Sequence, residues 1–497
     1  MDKEILEKFE EECRVSLSPY GIDQLRAYGR SIGVDKPTKK KRRELIDEII
    51  GVLSGRLTPI ERSLRGAPVK SDFVDPKIPE EIEKIRVRAK SGFPQSQRSI
   101  LINRNIAQEI ADFQARNKQM LVFNDPNAEI KLSQRCGQLT TLDGVSYLLP
   151  LNCRDNGEKV VMPVEFIREY DLKEGDVISC HVEKGKNVFV VVKLLSINQC
   201  DLNEYRRSGD FDEMAASYPK RSMRFYHPSC NDSIAAKYID WLFAIGRGHR
   251  CRIVSPPKAG KTELICELVK SASAANPDVD VYVLLVEQSP ETISRFRKLI
   301  KEDHLVYSTY DDSPERQVFT ADFLLKRAKR AAECGGNVLL FVDSFNALAR
   351  AFNDTAASSG GKMLACGLES KTVQYVKKYF GCARNLEKGG SVTIIGAVSC
   401  DSGSPADDHI AKELSTVANA EISLRESIAV QKIYPAVDLT RSATWNGVEK
   451  FEKAEELRAA IIERYLPRMG EKALREALDE SFSYEIFSKN IFDRLQS

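Results

Sequence analysis

Ser255-Pro256-Pro257-Lys258-Ala259-Gly260-Lys261-Thr262 stands between an apolar run, Cys251 to Val254, and a run whose residues Leu264, Ile265 and Leu268 fall on one helical face. Strand, turn and helix start in that order aim backbone N–H groups and the positive end of a helix at one point. A polyphosphate suits such a point. Lys258, Ala259 and Gly260 would wrap it, Lys261 would reach the β- and γ-phosphates of ATP, and the Thr262 hydroxyl would ligate Mg2+. Ser255 occupies the place of the first glycine in G-x-x-x-x-G-K-[ST], so a chance Gly-Lys-Thr turn is the alternative until the downstream residues are read.

Val281 to Val286 is an apolar, β-branched run that leads into Glu287, and Val338 to Val342 is another that leads into Asp343. In an open parallel sheet the ligand crevice lies outside the carboxyl ends of the strands, so both acids are expected to converge on the loop. Asp343 then suits a ligand to Mg2+ through water, and Glu287 suits the catalytic group that polarises an attacking water beside Lys261. The alternative is a pair of acids at solvated strand ends.

The chain has 497 residues and a formal net charge of +2, so a polyanionic partner must be met by local patches rather than by a global field. Its twelve cysteines form no C-x-x-C pairs, and five histidines show no ligand spacing. No apolar run of about 18 residues is present. These features predict a soluble, cytoplasmic protein with free thiols and no membrane partner. Residues 1–56 read as a helical domain, with Ile22, Leu25, Tyr28 and Ile32, then Leu45, Ile46, Ile49, Ile50 and Leu53, at helical spacing. The basic run Lys39 to Arg43 is either a solvated helix start or a phosphate contact. Residues 57–130 read as a charged linker. Residues 131–200 alternate short β-rich runs (148–151, 159–162, 177–182, 188–195) with turns at Asp143-Gly144, Asn156-Gly157 and Gly175-Asp176, the rhythm of a small barrel. A connector, 201–233, leads into an α/β core over 234–497 that ends in helices at 453–466 and 470–480.

That order, with Ile245-Gly246-Arg247-Gly248, the Pro-Pro-Lys-Ala-Gly-Lys-Thr string, Asp343-Ser344, Leu348 to Asn353, Ser359 to Lys362, Phe380 to Asn385 and Pro435 to Asp438, resembles the family of transcription termination factor Rho, bacterial hexameric RNA-dependent ATPases. The resemblance covers residues 10 to 450. It implies a multidomain α/β chain: a RecA-like P-loop ATPase core with a parallel sheet, preceded by an OB-type RNA-binding barrel and an N-terminal helical, SAP-like domain. It also implies ATP at the boundaries of a homo-hexamer, single-stranded RNA as ligand, and RNA polymerase as the partner complex. Lys258, Lys261 and Thr262 match the family's phosphate loop, Glu287 its catalytic glutamate and Asp343 its Mg2+ aspartate. Tyr434 falls where the family stacks an aromatic on adenine; a core tyrosine is the alternative. Lys362, Ser402 and Gly403 match channel loops that touch RNA, and Tyr147 matches one aromatic of the barrel's base-stacking platform.

Several family residues are missing. Gln288 replaces an arginine beside the glutamate, Ala347 another, and Pro405 a lysine. Val188 stands near a family tyrosine, and Trp445 stands where an arginine finger is expected. Such a finger contributes about 10³ to 10⁵ in rate. Two functions are therefore in play: an ATP-driven RNA translocase or helicase that releases nascent RNA, and a divergent paralogue that binds nucleotide, and RNA or Rho, with weak hydrolysis and acts as a regulator. Another RecA-like NTPase, such as a rotary subunit, is a third.

Overall fold

The computed structural model describes residues 10–57 with short breaks, residues 78, 79 and 82, and residues 133–496 apart from 143, 155–156, 186–187, 220, 231, 357–362 and 446–450. The linker over 57–130 lies almost wholly outside the described residues. The chain divides into two compact units, Met1–Ala111 and Asp112–Ser497.

In the first unit, α1 (Ile22–Ser31) and α2 (Arg42–Leu53) pair as their spacing predicts, burying Leu25, Tyr28, Leu45, Ile49 and Ile50. The described part of the basic run serves the start of α2. Lys40 pairs with Glu48, Arg42 donates to the Tyr20 carbonyl at 3.0 Å, and Glu44 accepts from the Lys41 amide at 3.2 Å.

The second unit opens with β1 (Ser133–Leu142), β2 (Val145–Leu149), β3 (Val160–Val161), β4 (Val177–Lys184), β5 (Phe189–Ile197) and β6 (Cys200–Asp201). β1 pairs antiparallel with β2 and β4, β5 with β4, and β2 with β3, while β3 pairs parallel with β5 and closes five strands into a ring. Alternation on β4 turns Ile178, Cys180 and Val182 inward against Leu139, Leu148 and Leu194. β1 is not legible as a strand, because its buried Gln138 and Thr140 are polar. Gln138 is satisfied across the domain boundary: its amide donates to the Phe323 carbonyl at 2.6 Å and its oxygen accepts from Arg327 at 2.9 Å.

A nine-stranded sheet follows, in the order β10-β9-β11-β13-β8-β14-β15, with β12 attached at β13 and β7 at β12. The strands are β7 (Ala216–Ser217), β8 (Arg250–Ser255), β9 (Val279–Gln288), β10 (Leu305–Thr309), β11 (Asn337–Asp343), β12 (Arg384–Leu386), β13 (Ser391–Ser399), β14 (Ala420–Ser423) and β15 (Ala443–Thr444). All neighbours from β10 to β14 run parallel. The two-residue period of β9 explains why the sheet needs cover on both faces. Val281, Val283 and Leu285 meet Leu264 and Leu268 of the helix Lys261–Ala275, whereas Tyr282, Leu284 and Val286 meet Phe323, Leu324 and Leu348 of the helices on the other side. Each such side chain contributes roughly 1.5–3 kcal/mol by leaving water.

The C-terminal helices depart from expectation. Phe451–Ala460 runs through a π-turn, Ile461–Tyr465, into Leu466–Asp479, which bends at Gly470 (φ 78°). A further helix, Tyr484–Gln496, buries only Phe487 and Ile491 and so carries little periodic signal. Lys237, fully buried, donates to the carbonyls of Leu478 and Asp479 at 3.3 Å and caps the end of the bent helix.

The barrel is seated on the helix Pro314–Glu333 by buried charge. Arg207 of the connector donates to Asp176 at 2.8 Å and to Glu333 at 2.5 Å, and both acids are fully buried. Arg207→Met leaves two buried carboxylates short of a cation, and the expected cost is about 3–5 kcal/mol. Urea unfolding followed by far-UV circular dichroism checks this; a loss under about 1 kcal/mol contradicts it.

Candidate nucleotide site

β8 delivers the chain into the loop at Ser255, which is paired with Ser399 of β13. Ordinary strand backbone serves at this position, which explains why serine can replace the expected glycine. The left-handed turns come later, at Lys258 (φ 62°) and Gly260 (φ 94°). Glycine is needed at 260 for its backbone and for space, since an added Cβ would lie 3.2 Å from the Tyr434 ring. Lys261 then opens the helix Lys261–Ala275, so the N–H groups of its first turn face the loop's concavity.

The parallel sheet brings Asp343 of β11 beneath this turn. The Thr262 hydroxyl donates to Asp343 Oδ2 at 2.7 Å, while Asp343 Oδ1, in a residue 1% exposed, has no hydrogen-bond partner among the described residues. Burial pushes the Asp343 carboxyl above the ordinary aspartate range; Lys261 and the Thr262 hydrogen bond pull the other way. An orphaned, buried carboxylate oxygen beside a hydroxyl is the donor set a Mg2+ ion satisfies, so Thr262 and Asp343 fit as its holders. Lys261 Nζ rests on Ser399 Oγ at 2.5 Å. Ser399 is gripped at both backbone groups by Asn346, whose Oδ1 accepts from its N–H at 2.7 Å and whose Nδ2 donates to its carbonyl at 3.2 Å.

Glu287 lies on β9, the strand next to β11, at φ 56°. Its carboxylate accepts from Arg350 at 3.1 Å, and Arg350 also donates to Asp407 at 3.2 Å. Asp407 in turn accepts from Ser402 at 2.9 Å, so side chains connect the loop 401–404 to Glu287. Gln288 turns back to donate to the Asp343 carbonyl at 3.4 Å. Thr262 and Asp343 thus meet directly, Lys261 acts on Asp343 through its charge, and Glu287 stands at the neighbouring strand end. Ser399, Asn346 and the bridging role of Arg350 were not read from the sequence. The signals available were weak: an asparagine three residues after Asp343, and a serine ending an apolar run.

Tyr434 is 41% exposed and, with Gly260, Glu263, Leu264, Leu424, Pro435 and Ala436, lines a cavity beside the loop. That setting favours a face open to a base over the core alternative. Ser402 and Gly403 (φ 79°) lie on an exposed loop, while Lys362 lies outside the described residues. Tyr147 requires a correction. It sits on β2, paired with Thr140 and Val161, and is 6% exposed, so its ring offers no open face on which a base could stack. Trp445, by contrast, is 46% exposed.

Because the folded state binds the Asp343 proton more tightly than the unfolded chain does, its contribution to stability is complete only below the unfolded value, about pH 4, and is lost as pH rises through the folded value. Asp343→Asn keeps an acceptor for Thr262 and removes the charge. At pH 7.5 without nucleotide or metal, Tm is expected to rise by about 2–4 °C and hydrolysis to disappear, with the thermal gain vanishing near pH 4. Calorimetric scans at the two pH values check it; a lower Tm at pH 7.5 is the contrary result.

Residues 235–444 match the ATP synthase alpha/beta family, nucleotide-binding domain. Transcription termination factor Rho 1 of Ehrlichia chaffeensis is 32% identical over 367 residues, covering 71% of this chain and 86% of that protein. The Bacillus subtilis factor is 30% identical, covering 68% and 80%, and the Salmonella typhimurium factor 32%, covering 66% and 79%. Among solved structures, an ATPase of a type III secretion system aligns at 22% identity with a TM-score of 0.47, over 63% of this chain and 94% of its own. The core is a RecA-like P-loop nucleotide-binding domain, and the chain belongs to the transcription termination factor Rho family.

Proposed function

We propose that this chain is an RNA-stimulated ATPase that works as a homo-hexameric, cytoplasmic translocase on single-stranded RNA and releases nascent transcripts from RNA polymerase. The observation that carries the ATPase part is the contact of Thr262 with Asp343 beneath a loop led by Lys261. Family membership supports the transcript-release part. Among the described residues, no helix is long and apolar enough to cross a membrane.

The chemistry follows from placement. The loop N–H groups and Lys261 hold the triphosphate, and Tyr434 faces the base. Glu287 accepts a hydrogen bond from the water that attacks the γ-phosphorus, orienting it in line with the departing diphosphate. Mg2+, held by Thr262 and Asp343, would neutralise charge on the β- and γ-oxygens. In the resting geometry the Glu287 carboxylate is occupied by Arg350, a half-exposed pair worth about 0–1 kcal/mol and therefore easily exchanged. RNA on the loop 401–404 would act on that pair through Ser402 and Asp407, which gives RNA a physical means of raising the rate.

A second reading, a paralogue that binds nucleotide and regulates with little hydrolysis, draws on Trp445 at the arginine-finger position and on the buried Tyr147. Phosphate release with and without single-stranded RNA separates the two. The expected result is a turnover raised at least about ten-fold by RNA, abolished by Lys261→Ala, and lowered about 10²- to 10⁴-fold by Glu287→Gln with ATP still bound. ATP binding without RNA-stimulated release assigns the chain to the regulator class.

A further inference from the structure

Two arginines from different parts of the fold meet Tyr307 at the seam between barrel and motor, and a third, Arg316, is bonded beside one of them. Arg154 lies in the loop after β2, Arg297 caps the helix Pro290–Phe296, and Arg316 lies in the first turn of the helix Pro314–Glu333. The Arg154 guanidinium lies over the Tyr307 ring at 4.0 Å from its centroid and that of Arg297 at 5.3 Å. Arg297 also donates to the Tyr307 hydroxyl, and Arg316 donates to the carbonyl of Cys153 beside Arg154. Tyr307 is on β10, an edge of the sheet, and Tyr310, three residues on and within ~10 Å by chain reach, is 63% exposed.

The nearby acids are partly spent. Asp312 accepts from the Thr309 N–H at 2.7 Å and hydroxyl at 3.1 Å and stands 3.9 Å from the Arg154 guanidinium, an ion pair a phosphate would have to displace, and Glu302 accepts from Asn152 at 3.3 Å. The Arg154 Nε–H, shielded from water, has no hydrogen-bond partner among the described residues. Planar cations stacked on an aromatic, with an open tyrosine beside them, suit a strand that carries both phosphates and bases with exposed π-faces.

We propose that this seam is a binding ledge for single-stranded RNA, with Arg154 and Arg297 on phosphates or base faces and Tyr310 as the stacking platform. The inference rests on the reading of RNA as ligand. It locates a capture site on the motor's edge, apart from the buried Tyr147 of the barrel.

The test is fluorescence anisotropy of full-length protein with a labelled single-stranded oligouridylate at about 0.1 M salt, repeated across salt concentrations. Arg154→Gln combined with Arg297→Gln is expected to weaken binding about ten-fold and to flatten the log–log salt slope by about 1.4, and Tyr310→Ala to weaken it about five-fold or more, all with unchanged thermal melting. Photocrosslinking of 4-thiouridine RNA to the unaltered protein, which no misfolding can confound, is expected to label the Tyr307 to Tyr310 segment. Unchanged affinity and slope, with crosslinks confined to the barrel or the loop 401–404, overturn the ledge and leave the RNA motor standing. No RNA binding by the unaltered protein overturns both.

Discussion

A 2.7 Å hydrogen bond from Thr262 to Asp343 ties the first turn of one helix to the end of a strand two places away in the sheet. It does so with a fully desolvated carboxylate, half of which is unsatisfied. A buried charge left in that condition is costly, and the fold tolerates it because parallel strands force both groups to the same edge. Its open oxygen, with the Thr262 hydroxyl, suits a hard cation. Lys261 compensates in part from across the loop.

Around that contact the protein is organised by what fixes and what frees. Ser399 and Asn346 hold Lys261 in place through backbone and side-chain hydrogen bonds. Glu287, on a left-handed residue at the strand end, is held only by a half-exposed ion pair. Under the proposed function, that contrast would separate binding from catalysis: Lys261 is held firmly, and Glu287 can be released. At the other end of the domain, Arg207 and Arg327 lock the barrel to the helix Pro314–Glu333 with buried, multiply bonded guanidinium groups.

Much of this was legible in the chain. Apolar runs placed β8, β9 and β11 and their terminal acids, because buried parallel strands must be apolar on both faces. The glycine-lysine-threonine turn marked the start of the helix Lys261–Ala275 even with Ser255 at its head. Other parts were hidden for physical reasons. β1 is polar where it faces the motor, so periodicity misses it, and Tyr484–Gln496 buries too little to show a helical stripe. Tyr147 is assigned to the base-stacking platform by family resemblance alone, and a resemblance supplies an aromatic but not which face of a strand it occupies. Arg350, Ser399 and Asn346 gain their roles only from contacts between residues 53 to 138 positions apart.

The central claim is that a triphosphate is gripped at one lysine above a hydroxyl and a buried acid. A crystal structure with Mg2+ and a non-hydrolysable ATP analogue tests it most directly. The account predicts phosphate oxygens within about 3 Å of Lys261 Nζ and the ion between the phosphates and the Thr262–Asp343 pair. A nucleotide bound elsewhere, or an ion held without Thr262 and with Asp343 turned away, would contradict it.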